Sequence, residues 1–487
     1  MPLFLAKWGF LIFAGFYFCF AAPAPVSESV LNLRRDIKNV FSRERLVNLK
    51  AGVAIASLET GEILFELNAD ELLIPASVNK VLTAYVALKK LKPTSTFKTE
   101  IYITSPIREG KCSGDLYIKG GGDPSLVSER MWMLVNELIR SGMKEVSGNL
   151  VGDSSYFDQE RTPAVRPKYL KDQAYNAPIG ALSFNFNTTT IYVRAGETVG
   201  SDPVVYSDPE NSYIDIVNHA KTTSSGTKNT LVVSRTEHVK GDMGDTVLLR
   251  GNVPVDAPEM RFYRNIVNPT LYTTHMFRKF LESRGVKVVG KSIEGVVPAS
   301  ARRILEFDSL PMWQVVWGMN KFSNNFVADQ VLKKLGAEMW GAPGTREKGI
   351  LAIQDALEDI GISKKAYQVT DGGGLSRDTQ ITARQILKVL TAAYRDFGLS
   401  SEFLASLGIA GEDGTLKSRF PNSSVLPPLR AKTGSLDGVT SLAGYSSSAD
   451  KELLAFVILL NDSKMKYGRM TAWVDQVATT LRKFSRK

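Results

Sequence analysis

Two apolar hairpins at opposite ends of the chain constrain its fold more than any other feature. Val53–Leu58 and Glu62–Leu67 alternate apolar and polar residues around a Thr60-Gly61 turn. Ser441–Tyr445 and Leu453–Leu460 do the same around the polar stretch Ser446–Lys451. Strands so far apart, with helical periodicity between them, predict one antiparallel sheet closed from both ends of the chain and covered by helices, an α+β arrangement. Pro75 opens a helix expected from about Ala76 to Leu91, where Val78, Val81, Leu82, Tyr85, Leu88 and Leu91 fall at helical spacing. A last helix, from about Gly468 to Phe484, carries Trp473, Val474, Val477 and Leu481 on one side. Its basic end allows at most peripheral membrane contact, and packing on the sheet is the expected role.

A chain of 487 residues exceeds one ordinary core. The middle reads as an insertion at roughly 96–299, strand-rich from Thr189 to Val297. Nested inside it, at about 110–155, is a βαβ-like unit: Asp115–Lys119, a glycine turn, a helix near Ser128–Arg140 and a strand near Gly148–Gly152. The segments 25–95 and 300–487 then form one discontinuous domain. Residues 1–24 read as a secretory signal, with a short apolar run Trp8–Phe20 and small residues and prolines from Ala21 to Pro25; an uncleaved anchor is the alternative. Export is therefore expected, to the periplasm of a Gram-negative bacterium. Only Cys112 survives signal removal, so stability must come from packed cores rather than an internal disulfide. The formal charge of +10 suits anionic wall polymers or lipid head groups. No nucleic acid is expected, because no run of five or six basic residues occurs and the chain is read as exported.

Histidine scarcity narrows the chemistry. His219, His238 and His275 all fall within the insertion, whereas a Ser-His-Asp enzyme or zinc hydrolase needs histidine in its catalytic domain. No metal and no cofactor are expected. Lysine is the candidate base. Ser77 and Lys80 stand three residues apart at the start of the apolar helix, so their side chains share a face. A lysine amine works as a base near neutral pH only if its pKa falls roughly two to three units, which burial and a second cation can achieve. Ser-x-x-Lys alone is weak; it also begins at Ser95, Ser141, Ser225, Ser448 and Ser463. Two partners sharpen it. Lys432-Thr433-Gly434 follows a strand-like Leu429–Ala431, and Ser323-Asn324-Asn325 opens another helical stretch. Glycine at 434 is expected to let a substrate backbone approach the strand edge. The order Ser-x-x-Lys, Ser-x-Asn, Lys-Thr-Gly is far more specific than any one element. Gly120–Asp123 lacks the Lys-Ser/Thr ending of a phosphate loop and reads as a tight turn.

With these motifs the sequence resembles the class C low-molecular-mass penicillin-binding proteins, the D-alanyl-D-alanine carboxypeptidase/endopeptidase family typified by penicillin-binding protein 4. The likeness covers nearly the whole mature chain. It includes Gly120–Leu126, Gly152–Asp158, Tyr175–Leu182, Asp371–Arg377 and Gly411–Leu416, and the long gap between Ser77 and Ser323. It implies a penicillin-binding/serine β-lactamase-like domain and cleavage of D-Ala-D-Xaa bonds in peptidoglycan stems and cross-links, with β-lactams as covalent inhibitors. In named roles, Ser77 attacks, Lys80 accepts its proton, and the N–H groups of Ser77 and Ser435 form the oxyanion hole. Ser323 and Lys432 pass a proton to the leaving amine, and Asn325 holds the acyl-side amide. Thr433 and Ser435 bind a terminal carboxylate. Arg377 is expected beside the peptide branch, and Asp172 is the nearest candidate to meet a diaminopimelate amino group. Gly373 stands where many relatives have serine, with only a local backbone effect expected. A serine β-lactamase and a non-catalytic wall sensor share the motifs and stay open as alternatives.

Overall fold

The first strand of the chain pairs directly with the last. The computed structural model describes residues 27–42, 49–162, 172–237, 244–420, 426–461, 465 and 467–487; the expected signal segment and His238 lie outside them. Lys50–Ser57 runs between Ile63–Leu67 and Leu453–Asn461. The full sheet order is Gly408–Ile409, Leu429–Leu436, Val439–Ser447, Leu453–Asn461, Lys50–Ser57, Ile63–Leu67, antiparallel throughout.

Both faces of this sheet are covered, so its central strands alternate small with large apolar residues. Ala54, Ala56, Ala443 and Ala455 face a layer that includes the helices Lys80–Leu91, Met312–Lys321, Asn325–Trp340, Arg346–Glu358 and Ala383–Arg395. Small side chains there let the helices sit close. Val53, Ile55, Leu454, Phe456 and Ile458 face the terminal helices Glu28–Ser42 and Tyr467–Lys483. Full burial of each such large side chain contributes ~1.5–3 kcal/mol. The helix Glu28–Ser42 is an addition to the sequence reading; Val30, Leu33, Ile37 and Val40 form its buried stripe. At the other terminus Arg482 is buried and Arg486 pairs with Glu62 and Glu452, so this basic end is tied to the sheet domain.

Between Leu91 and Met312 the chain leaves this sheet. A five-stranded sheet orders Ser292–Glu294, Leu150–Asp153, Leu116–Gly120, Lys98–Ile103 and Arg302–Asp308. Within it Leu116–Gly120 and Leu150–Asp153 are parallel and joined through the helix Ser128–Ile139, a βαβ unit. Arg302–Asp308 pairs with Lys98–Ile103 before the chain enters the helix layer at Met312. Gly120–Asp123 ends in a turn closed by Ser125, whose N–H and hydroxyl donate to the Asp123 carboxylate. Two three-stranded sheets and a four-stranded sheet of two-residue strands complete the insertion. The buried Gln330 amide donates to Gly180 O at 2.9 Å, fastening the insertion to the helix layer. Among the described residues no helix is long and apolar enough to cross a membrane.

Candidate active site

Ser77 does not sit in an α-helix. Residues Ala76–Asn79 form a 3-10 turn, and the α-helix begins at Lys80. Three residues per turn eclipse positions i and i+3, so Lys80 lies directly beside Ser77. Lys80 Nζ is 2.9 Å from Ser77 Oγ, 2.7 Å from Asn325 Oδ1 and 2.7 Å from Gly373 O, and the lysine is fully buried. The donor arithmetic of these contacts decides what the amine can do. An uncharged amine has two N–H donors and one lone pair. Asn325 Oδ1 and the Gly373 carbonyl can only accept, so together they take both N–H groups. Of these three partners only the Ser77 hydroxyl can donate, and the lone pair is left for it. The Asn325 amide is oriented by its other end, whose Nδ2 donates to Tyr175 O at 3.0 Å.

The other two motifs close the cleft. Leu429–Leu436 carries Lys432, Thr433 and Gly434 inside the strand rather than after it. Among the described residues its outer edge meets a strand, Gly408–Ile409, only at Arg430 and Ala431, so a substrate backbone can lie along the edge beyond Ala431. Lys432 Nζ donates to Ser323 Oγ at 2.9 Å and to Thr433 O at 2.7 Å. Burial, reinforced by the charge of Lys80, holds the Lys432 ammonium well below the ordinary lysine range. Thr433 Oγ1 lies 2.8 Å from Thr415 Oγ1, within hydrogen-bond distance. The cavity, about 440 Å³, is lined by Ser77, Ser323, Asn325 and Ser435 together with Tyr175, Leu375 and Asp437. No histidine is among the residues described as lining it.

A family model described as D-Ala-D-Ala carboxypeptidase 3 (S13) matches residues 33–481, nearly the whole chain. The chain belongs to this family. It is 33% identical over 460 residues to the D-alanyl-D-alanine carboxypeptidase of Actinomadura sp. (strain R39), covering 91% of this chain and 84% of that protein. It is 25% identical to the D-alanyl-D-alanine carboxypeptidase DacB of Haemophilus influenzae, covering 84% and 85%. The crystal structure of penicillin binding protein 4 from Haemophilus influenzae shares the fold, with a TM-score of 0.78 at 23% identity, over 93% of this chain and 99% of that one.

Other S13-family expectations meet a different geometry. Gly434 packs against the turn that bears Ser77: a Cβ there would stand 2.6 Å from Pro75 O and 3.2 Å from Ala76 Cβ. Glycine is needed so that the turn bearing Ser77 can press against the strand. Asp172 is not among the cleft-lining residues. Its carboxylate accepts from Gln173 Nε2 and lies 3.4 Å from Arg264 Nε, so it is engaged within the insertion. Arg377 reaches the cleft rim, donating to the Asp437 carbonyl. Gly373 is not a neutral backbone position, since its carbonyl holds Lys80. A Cβ there would stand 3.1 Å from Asn325 Oδ1.

Asp371 is the site residue that motif reading missed. Its buried carboxylate accepts the N–H groups of Gly374, Leu375 and Ser376, folding 371–376 into a tight turn. Asn79 Nδ2 and Thr83 Oγ1, from the Ser77–Lys80 segment, donate to Asp371 O and Gly372 O at 2.9 and 2.7 Å. Gly374, at φ +72°, packs where a Cβ would strike Ala76 O. The turn is therefore a fourth segment of the site, aiming the Gly373 carbonyl at Lys80. Asp371→Ala is expected to leave these N–H groups unpaired and to slow acylation by a chromogenic β-lactam ~10²-fold, the scale of an ångström-sized misplacement. Stopped-flow acylation rates measured beside the melting temperature separate loss of geometry from loss of fold; an unchanged rate removes Asp371 from the site.

Proposed function

We propose that Ser77 is the acylated nucleophile of a serine D,D-peptidase that cleaves D-Ala-D-Xaa bonds of peptidoglycan. The observation that carries this reading is the buried Lys80 amine, 2.9 Å from Ser77 Oγ and 2.7 Å from each of two oxygens that can only accept. Lys80 takes the Ser77 proton as Oγ bonds to the scissile carbonyl carbon. The oxyanion is met by the Ser77 and Ser435 N–H groups, whose preorganisation is the largest expected electrostatic contribution. Collapse expels the amine, which gains a proton through Ser323 and Lys432. Water then hydrolyses the acyl ester and Ser77 recovers its proton. Thr433 and Ser435 receive a terminal carboxylate where one exists, and Asn325 holds the acyl amide. Arg377 flanks the peptide branch. β-Lactams enter the same path and stop at the ester. That the relatives include a D-alanyl-D-alanine carboxypeptidase at 33% identity supports the substrate class.

The apolar start of the chain supports export, with the periplasm as the compartment, and the +10 charge favours attraction to anionic wall material. The domain boundaries proposed are a catalytic unit of 25–95 and 300–487 around an insertion at 96–299. Digestion of purified sacculi followed by separation of the muropeptides tests the activity. Fewer cross-linked dimers are expected from an endopeptidase and shorter pentapeptide stems from a carboxypeptidase. Muropeptides left unaltered by a protein that still binds penicillin point instead to a wall sensor.

A further inference from the structure

We propose that an apolar groove beside the Ser323–Asn325 turn is a subsite for a sugar ring of the glycan strand that carries the cleaved peptide. The proposal rests on the D,D-peptidase reading and extends its substrate from peptide to glycopeptide. The groove, about 580 Å³, is walled by Trp313, Trp317, Phe322, Phe186, Leu310 and Val327. That volume lies in the ~300–1,000 Å³ range of small-molecule sites. Its four aromatic rings are 37–67% exposed, although Trp313 and Trp317 stand on a helix whose opposite side is core. Four large rings left open around one concavity are unusual for a surface with no partner.

The rings are held rather than free. Trp317 meets Phe322 edge-on at 5.8 Å, and Phe186 meets Phe326 edge-on at 6.2 Å. Phe186 is presented by three successive left-handed residues, Asn185, Phe186 and Asn187, at φ 46°, 56° and 53°. A non-glycine residue in that region is strained, by about 1–3 kcal/mol where neighbours must over-determine it. Here they do: Asn185 Oδ1 accepts from Ser128 N, and Asn187 bonds Phe184 N, Pro178 O and Ser183 Oγ.

Continuity with the catalytic cleft identifies the occupant. Around the 322–325 turn, Phe322 and Asn324 line the groove while Ser323 and Asn325 line the cleft. A substrate leaving the cleft past Asn325 meets the groove next. Extended peptide covers roughly 3.3–3.6 Å per residue, so the four residues left on a cut pentapeptide stem separate scissile bond and sugar by about 13–14 Å. A pyranose has apolar C–H faces and a polar rim. Indole and phenyl walls match the first, and the amides of Gln314 and Asn324 match the second.

The test compares kcat/KM on a cross-linked disaccharide-peptide dimer with kcat/KM on the same dimer stripped of its sugars by an amidase. The intact protein should prefer the sugar-bearing dimer by about 10-fold, remote binding energy being spent at the reacting bond. Trp317→Ala and Trp313→Ala should each bring that ratio down towards one, and Trp317→Phe should restore part of it. A ratio already near one in the intact protein, or one that neither alanine variant alters, overturns the proposal. A direct arm uses Ser77→Ala protein and the N-acetylglucosamine–N-acetylmuramic acid disaccharide as probe, followed by saturation-transfer NMR. Binding that Trp317→Ala removes supports the groove even if neither dimer is cut, in which case only the peptidase reading fails. Binding indifferent to Trp317, or seen only with an aliphatic detergent, overturns the sugar assignment.

Discussion

Ser77→Ala is expected to abolish covalent labelling by a fluorescent penicillin and to leave the melting temperature within a few degrees of the parent. Loss of a serine nucleophile in an acyl-transfer enzyme costs roughly 10⁴–10⁶ in rate, because no neighbouring group can form the ester in its place. Of the other hydroxyl-bearing residues lining the cleft, Ser323 is already bound to Lys432 at 2.9 Å. Stability should survive because the turn does not depend on the hydroxyl. Asn79 and Thr83 still tie the segment to the Asp371 turn, and Lys80 keeps Asn325 Oδ1 and Gly373 O. Denaturing gel electrophoresis after labelling reads the result. A band of parental intensity in the variant would falsify the nucleophile assignment.

What sequence made legible here was chemistry carried by side chains close together in the chain. Ser77 and Lys80 share a turn, and their spacing became telling only beside the other two motifs, although the turn proved to be 3-10 rather than α-helical. Ser323, Asn325, Lys432 and Thr433 were found through motif order, and the fold brings their segments to one cleft. The hairpins at both ends predicted the closed sheet because each buried strand must find partners for its N–H and C=O groups. Contributions made by backbone atoms were invisible. The Gly373 and Tyr175 carbonyls orient the base and the amide, and every residue type carries a carbonyl. The surroundings of Asp172 were hidden for a related reason. Its partner, Arg264, is supplied by a strand far along the insertion, and local spacing says nothing about that approach. The stripe Val30, Leu33, Ile37 and Val40 was readable in principle at 3- and 4-residue spacing.

The two candidate catalytic serines lie at or beside unusual backbone. Ala76, just before the nucleophile, has φ +48°, and Ser323 itself has φ +56°. Such conformations cost about 1–3 kcal/mol each and persist only where packing over-determines them. At Ala76 the packing comes from two glycines: Gly434 on the strand and Gly374 on the Asp371 turn each lie where a Cβ would collide with Pro75 or Ala76. The strained turn is therefore clamped between two segments that also serve the chemistry. Glycine at these positions is a requirement of the nucleophile's pose, and alanine at either would disturb Ser77 without touching a reacting atom.

The second large effect belongs to Lys80→Arg, expected to slow acylation by a chromogenic β-lactam by about 10²–10⁴-fold, the contribution of a positioned general base. Arginine keeps N–H groups that can donate to Asn325 Oδ1 and Gly373 O. It fails because a guanidinium holds its proton at every pH the protein survives and offers no lone pair to the Ser77 hydroxyl. The pH profile separates this account from a merely structural one. In the parent the acylation rate should rise with pH as the amine sheds its proton. In the variant it should stay low and without that rise, since no lysine remains beside Ser77 to titrate. Lys432 is not expected to substitute, because its amine donates to Ser323 Oγ and Thr433 O. An arginine variant that acylates within about threefold of the parent and keeps the same pH dependence would mean that the proton leaves Ser77 by another route. The contacts of Lys80 with Asn325 and Gly373 would then be scaffolding alone.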